Sequence, residues 1–123
     1  MGKLILIVDD SASMRTLVAS TLAKAGYQTV EAADGVEGLD RVKRHELSAI
    51  VCDINMPRMN GLELVERLRD DKIAVPVIML TTEGQPALVQ RAKKAGAKGW
   101  MVKPFNPESL IAAINRLTAA PAA

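Results

Sequence analysis

Side chains that could carry phosphate or metal chemistry follow four short apolar runs of this 123-residue chain. The runs and the residues after them are Leu4–Val8 before Asp9 and Asp10, Ala49–Cys52 before Asp53, Val75–Leu80 before Thr81 and Thr82, and Trp100–Val102 before Lys103 and Pro104. In a parallel α/β sheet the carboxyl ends of the strands share one edge, where ligands bind. Carboxylates, a hydroxyl and an ammonium would then meet at one place. Such a set can hold a divalent metal ion and a phosphoryl group together.

Three aspartates gathered at one edge repel one another, and a bound cation relieves that repulsion. Mg²⁺ prefers oxygen ligands, keeps several waters and usually takes one or two carboxylates with a phosphate oxygen, and Mn²⁺ serves similarly. Asp9, Asp10 and Asp53 are therefore candidate metal ligands. A softer metal is not indicated. Cys52 should point to the opposite face of its strand from Asp53, and His45 falls at a helix end.

Asp53 stands alone after a predicted central strand, which suits a carboxylate nucleophile that forms an aspartyl phosphate. Attack on phosphorus requires that charge on the equatorial phosphoryl oxygens be neutralised. The metal would supply part of that charge and the mobile ammonium of Lys103 another part. The Thr81 hydroxyl can donate to a third oxygen. The strand ends are therefore consistent with Asp53 as a carboxylate nucleophile toward phosphorus.

The order of the elements is typical of an α/β fold, because apolar runs alternate with longer segments of helical period. Strands are predicted at about 3–8, 28–32, 48–53, 75–80 and 98–102. The first, third and fourth are almost continuous Val, Ile and Leu, which indicates central strands covered on both faces. The second alternates with polar residues and should lie nearer an edge.

Helix-start signals follow the strands at Asp34, Asn60, Pro86 and Asn106. In the first helical segment, a stripe that includes Leu17 should face the core. These elements predict one doubly wound (βα)5 domain over residues 1–123, with a frayed tail from Ala119 and no output domain.

Composition excludes several other classes of protein. A net charge of +2 is too weak to indicate nucleic-acid binding. No membrane span or signal peptide is recognisable. Cys52 is the sole cysteine, which excludes a disulfide framework and favours a reducing, cytoplasmic setting. We expect Cys52 to be an inert buried thiol and His45 to be exposed.

The strand-end motifs closely resemble the receiver domain of two-component response regulators, in particular its stand-alone, CheY-like chemotaxis members. The stretches that carry the resemblance are Val8–Ser11, Asp53–Pro57 with Gly61 following, Thr81–Glu83 and Val102–Phe105. Each motif alone is weak, but all four in order are specific. The resemblance implies a flavodoxin-like domain with the parallel strand order 2-1-3-4-5, the order that CheY itself has.

The resemblance also implies roles at the metal and phosphate site. Asp53 would accept a phosphoryl group from a histidine kinase. Asp9 and Asp10 would bind Mg²⁺, with Asp10 and Asp53 as direct ligands and the main-chain carbonyl of Asn55 as a further ligand. The chain would catalyse only its own phosphorylation and dephosphorylation, so we expect a signalling protein and not an enzyme.

Further roles follow from the resemblance for residues that sense the phosphoryl group. Thr81 and Lys103 would contact it, and the bond before Pro104 should be cis. Trp100 occupies the switch position that is usually Tyr or Phe in the family, although it fits equally well as a half-buried strand residue. Thr82 stands where the family often has a smaller residue.

Asn55 and Glu83 lie where the family tunes autodephosphorylation. The expected partners are a CheA-like sensor histidine kinase and a flagellar motor switch protein or other output protein, which would bind the face formed by the fourth helix, fifth strand and fifth helix. A phosphatase partner is also compatible. We expect a monomer without nucleic-acid or membrane contacts. A phosphate sink and a non-flagellar receiver remain alternatives.

Two other protein classes use related residues. Haloacid-dehalogenase-type phosphatases combine an aspartate nucleophile, a Thr or Ser, a Lys and Mg²⁺. They typically carry a second aspartate two residues after the nucleophile, where this chain has Asn55. A flavodoxin needs a hydroxyl- and glycine-rich phosphate loop after the first strand. Asp9 and Asp10 would repel that phosphate, so a flavin carrier is rejected.

Overall fold

Five parallel strands alternate with five helices over residues 3–119, the part of the chain that the computed structural model describes. The strands are β1 (Leu4–Val8), β2 (Gln28–Ala32), β3 (Ala49–Cys52), β4 (Val77–Thr81) and β5 (Gly99–Val102). The helices are α1 (Ala12–Lys24), α2 (Gly35–Arg44), α3 (Gly61–Asp70), α4 (Pro86–Lys94) and α5 (Pro107–Thr118). The ends of the predicted 1–123 domain, with the tail beyond Ala119, lie outside the described residues.

The sheet has the order β2-β1-β3-β4-β5, which confirms the predicted doubly wound, flavodoxin-like fold. The three runs predicted to be central are β1, β3 and β4, and β2 lies at an edge as expected. β4 begins at Val77 and includes Thr81, whereas the sequence predicted about 75–80. Pro76 explains the later start, since it has no N–H to donate and only its carbonyl joins the sheet, accepting from Ile50 N at 2.9 Å.

The core consists of two layers, one on each face of the sheet. Alternate strand residues pack against α2, α3 and α4 on one face and against α1 and α5 on the other. In α1 the buried positions are Val18, Thr21 and Leu22. Leu17 is 51% exposed, so its predicted place in the core was wrong. It lies one residue, about 100° around the helix, from Val18, and α1 presents the Val18 side to the sheet.

The helix starts lie at the same edge of the sheet as the strand ends. Asp34 caps α2 by accepting from Glu37 N at 2.9 Å. Asn60 and Glu63 cap α3 reciprocally. Asn106 caps α5, which confirms the start signal read from the sequence there. Across residues 3–119, every helix falls short of the length and apolarity that a membrane crossing requires.

Candidate functional site

Asp9, Asp10 and Asp53 form an acidic pocket at the carboxyl edge of the sheet. One carboxylate oxygen from each lies within 4.8 Å of the others. The sheet register accounts for this, because Val8 and Cys52 are direct partners on β1 and β3 and the aspartates follow them. Asp9 and Asp53 are buried, and Asp10 is exposed. The predicted convergence of these three residues is confirmed.

The Lys103 ammonium lies between two of these carboxylates. Its Nζ is 2.7 Å from Asp9 Oδ2 and 3.0 Å from Asp53 Oδ2, and its side chain is 12% exposed. Partial burial acts to lower the pKa of Lys103, but the hydrogen bonds to Asp9 and Asp53 outweigh burial and raise it. One ammonium faces three carboxylates, so the pocket has unbalanced negative charge and oxygen donors that fit a divalent cation such as Mg²⁺.

The backbone holds the Asp53 carboxylate in a fixed direction. Asp53 N donates to Val8 O at 2.9 Å, and Ile54 N donates to Asp53 Oδ1 at 2.7 Å. Gly61 packs directly on the Asp53 carbonyl, since a Cβ at Gly61 would lie 1.9 Å from that oxygen. Gly61 belongs to one of the sequence motifs, but the physical reason for a glycine at this position was not predicted. The Asn60-Gly61 helix start alone does not reveal the contact with the Asp53 carbonyl.

Thr81 lies at the end of β4, which pairs with β3, and it is fully buried. Its hydroxyl oxygen accepts from Glu83 N at 3.2 Å. Its main-chain carbonyl accepts from Lys103 N at 2.9 Å, which fixes the start of the lysine segment beside it. Thr82, the next residue, is exposed. The predicted phosphate-contact residues Thr81 and Lys103 therefore belong to adjacent strand ends.

Glu83 connects two further predicted residues. Asn55 Nδ2 donates to Glu83 Oε1 at 2.8 Å, and Trp100 Nε1 donates to the Glu83 carbonyl at 3.1 Å. The hydrogen bonds from Asn55 and then Gln85 lower the pKa of the Glu83 carboxyl. The half-buried Trp100 indole is thus tied to the loop between β4 and α4.

Arg15 is a site residue that sequence reasoning missed. Its Nη1 donates to the Asp9 carbonyl at 2.6 Å, and its Nε pairs with Glu31 Oε1 at 3.1 Å. The side chain therefore braces the turn that carries Asp9 and Asp10 against β2. Its position in a helix suggests a solvated residue, and spacing alone gives no sign of the contact.

Three smaller expectations are confirmed. The Lys103-Pro104 peptide bond is cis. Cys52 is a buried free cysteine, and burial, with the charges of Asp53 and Asp9, raises the pKa of its thiol. His45 is exposed at the end of α2.

Comparison with known proteins identifies the family. Residues 5–115 match the response regulator receiver domain. The chain belongs to this family. Among curated relatives of this receiver domain, the chemotaxis protein CheY1 of Helicobacter pylori is 44% identical over 110 residues, which cover 86% of this chain and 89% of that protein. The chemotaxis protein CheY of Thermotoga maritima is 38% identical over 119 residues, covering 96% and 99%.

Solved structures show the same likeness. The chemotaxis protein CheY4 of Vibrio cholerae, crystallised at low pH, superimposes with a TM-score of 0.88 at 43% identity and covers 95% of this chain and 99% of its own. The BeF3-activated receiver domain of DrrB has a TM-score of 0.87 at 26% identity, with 98% and 100% covered. The protein is thus a CheY-like receiver domain, a signalling protein and not a classical enzyme, consistent with chemotaxis signalling.

Proposed function

We propose that this receiver domain accepts a phosphoryl group on Asp53 from a phosphohistidine of a CheA-like sensor kinase. The observation that carries the proposal is the pocket itself. A buried carboxylate lies 3.0 Å from the Lys103 ammonium and within 4.8 Å of oxygens of Asp9 and Asp10. Membership of the receiver family supports the same chemistry.

The transfer is a displacement at phosphorus. An Asp53 carboxylate oxygen attacks, a P–O bond forms, the P–N bond to the kinase histidine breaks, and the freed imidazole nitrogen takes up a proton. Negative charge on the transferred oxygens must be balanced throughout. The Lys103 ammonium already donates a hydrogen bond to Asp53 Oδ2. It can therefore donate to an oxygen of the phosphoryl group that is transferred to Asp53. The Thr81 hydroxyl donates to another oxygen once the phosphoryl group is present.

The residues of the pocket fit Mg²⁺, or Mn²⁺ in its place, because all of their donors are oxygens. Asp10, Asp53 and the main-chain carbonyl of Asn55 would hold the ion directly, and Asp9 completes the acidic set. When bound, the ion would supply positive charge that offsets the negative charge of the phosphoryl group. Asp9 meanwhile keeps its hydrogen bond to Lys103, which orients the ammonium toward Asp53.

Phosphorylation then shifts the population of conformations toward a partner-binding state. In this shift Trp100 on β5 changes position and thereby alters the face formed by α4, β5 and α5. A flagellar motor switch protein or another output protein binds this face. A phosphate sink and a non-flagellar pathway are alternative outputs. The domain works in the cytoplasm as a monomer. Asn55, Thr82 and Glu83 tune its autodephosphorylation, which a phosphatase partner can accelerate.

Labelling with a small phosphodonor tests the proposal. Wild-type protein incubated with radiolabelled acetyl phosphate and Mg²⁺ should acquire an acid-stable, hydroxylamine-labile label. Asp53→Asn should acquire none, because an amide cannot act as the nucleophile. Asp70→Asn, which changes an exposed aspartate at the end of α3, should label like the wild type. Undiminished labelling of Asp53→Asn would place the phosphoacceptor elsewhere.

A further inference from the structure

Arg58 lies at the tip of the loop between β3 and α3, and its guanidinium contacts α2. Its Nε donates to Asp34 Oδ2 at 2.8 Å, and its Nη2 lies 3.8 Å from Glu37 Oε2. The neighbouring Met59 carbonyl accepts from Gly35 N at 2.9 Å. The loop tip is therefore attached to the start of α2 by an ion pair and a main-chain hydrogen bond.

Asp34 is a rigid anchor for this ion pair. Its side chain is only 6% exposed, and its other oxygen, Oδ1, accepts from Glu37 N at 2.9 Å as the helix cap. Burial acts to raise the pKa of Asp34, but the hydrogen bonds from Glu37 N and Arg58 outweigh it and lower the pKa. The carboxylate thus stays charged at neutral pH and cannot rotate away without losing the cap.

The backbone at Arg58 indicates that the side chain is what matters at this position. Its φ is +64°, a left-handed conformation that is unfavourable for a residue with a long side chain and better suited to Gly or Asn. The backbone conformation of Arg58 therefore does not contribute to the stability of the protein. The contribution of Arg58 lies in the contacts of the guanidinium with Asp34 and Glu37.

The same loop carries Asn55, whose carbonyl is the main-chain metal ligand of the proposed function. The loop is closed at its base by Gly61 N donating to Ile54 O at 2.9 Å. On one side the Asn55 amide bonds Glu83, and three residues further along Arg58 bonds α2. Asn55 thus lies between two points at which the loop is attached, one at Glu83 and one at Arg58. If the attachment at Arg58 were lost, the loop tip and with it the Asn55 carbonyl would be able to move.

We propose that the Arg58–Asp34 ion pair positions the metal site and raises its affinity for Mg²⁺. Arg58 contacts none of the pocket carboxylates, so it is a positioning residue that acts through the loop. The ion pair holds the tip against α2 and so limits movement of the Asn55 carbonyl, which the proposed function makes a metal ligand. This inference rests on the proposed function, because it presumes that the pocket binds Mg²⁺.

A double-mutant cycle tests the proposal by calorimetric titration of Mg²⁺. Arg58→Asn removes the guanidinium and suits the left-handed backbone, and Asp34→Asn removes the charge but can still cap α2. Each single change should raise the Kd for Mg²⁺ about fivefold, the upper end for an ion pair with one exposed partner. The double variant should be no weaker than either single one. Arg58→Lys should recover most of the affinity.

Two measurements separate positioning from a general structural effect. Arg67→Asn removes another arginine–aspartate ion pair, Arg67–Asp71 at 3.0 Å at the carboxyl end of α3, and should bind Mg²⁺ like the wild type. The urea midpoint of Arg58→Asn without Mg²⁺ should change little, because relief of the backbone conformation offsets the lost pair. The proposal would be overturned if both single variants bound Mg²⁺ with wild-type affinity, or if the losses of Mg²⁺ affinity were additive in the double variant. A fall in the urea midpoint that matches the loss of Mg²⁺ affinity would also overturn it. Absence of Mg²⁺ binding by the wild type would instead overturn the proposed function beneath it.

Discussion

Replacing Lys103 by methionine should destabilise the metal-free protein by about 3 kcal/mol at neutral pH. The ammonium lies 2.7 Å from Asp9 and 3.0 Å from Asp53, whose side chains are 5% and 9% exposed. Removing one partner from a buried ion pair leaves uncompensated charge and costs roughly 3–5 kcal/mol. We take the lower end because the exposed Asp10 opens the pocket to water. Methionine preserves most of the apolar stem, so packing changes little.

Urea unfolding at pH 7 in the presence of EDTA measures this loss. With a slope of about 1.5 kcal/mol per molar urea, the midpoint of Lys103→Met should fall by about 2 M. Lys98→Met, at an exposed lysine just before β5, serves as the matched control and should unfold like the wild type. Added Mg²⁺ should narrow the gap between Lys103→Met and the wild type, since the ion then balances the carboxylates. Equal midpoints in EDTA would refute the assigned role of Lys103.

The same ion pair predicts a pH dependence. The pKa of Lys103 is raised above its ordinary value of 10.5 in the folded protein. A raised pKa contributes stability that is fully present below the unfolded value and is lost as pH rises through the folded one. The stability difference between wild type and Lys103→Met should therefore be constant across neutral pH and shrink only in strong alkali.

Three further predictions concern the pocket and its neighbours. Beryllofluoride with Mg²⁺ should change the fluorescence of Trp100, whose indole bonds the Glu83 carbonyl; no change despite confirmed binding would exclude a Trp100 switch. Asp10→Ala should weaken Mg²⁺ binding at least about tenfold by calorimetry, and unchanged affinity would remove Asp10 from the ligand set. Gly61→Ala should destabilise the fold by roughly 1–3 kcal/mol in urea and slow phosphorylation, because its Cβ collides with the Asp53 carbonyl; a variant with wild-type stability and rate would contradict that contact.

The convergence of the pocket residues was predictable because it depends on short-range patterns. Continuous apolar runs identify the strands, and the parallel order brings their carboxyl ends together, so the sequence alone located Asp9, Asp53 and Lys103 at one edge. The boundary of β4 was less accurate. The apolar run includes Val75 and Pro76, and periodicity does not show where the missing N–H of a proline delays the sheet.

Contacts made by long side chains were not predictable from spacing. Arg15 reaches the Asp9 carbonyl and Arg58 reaches Asp34 across 24 positions of sequence. Both arginines resemble ordinary solvated charges in the sequence, because their partners are set by tertiary structure. The Trp100 indole is similar. Its place on β5 follows from the strand pattern, but its hydrogen bond to Glu83 depends on the path of the loop after β4.

Chemical identification of the modified residue tests most directly whether Asp53 is the phosphoacceptor. Wild-type protein treated with acetyl phosphate and Mg²⁺ is reduced with borohydride, which converts an aspartyl phosphate to homoserine, and its peptides are mapped by mass spectrometry. Homoserine should replace Asp53 in the peptide map, and Asp9 and Asp10 should be unmodified. Homoserine in place of Asp9 or Asp10, or modification that does not require Mg²⁺, would contradict this role of Asp53.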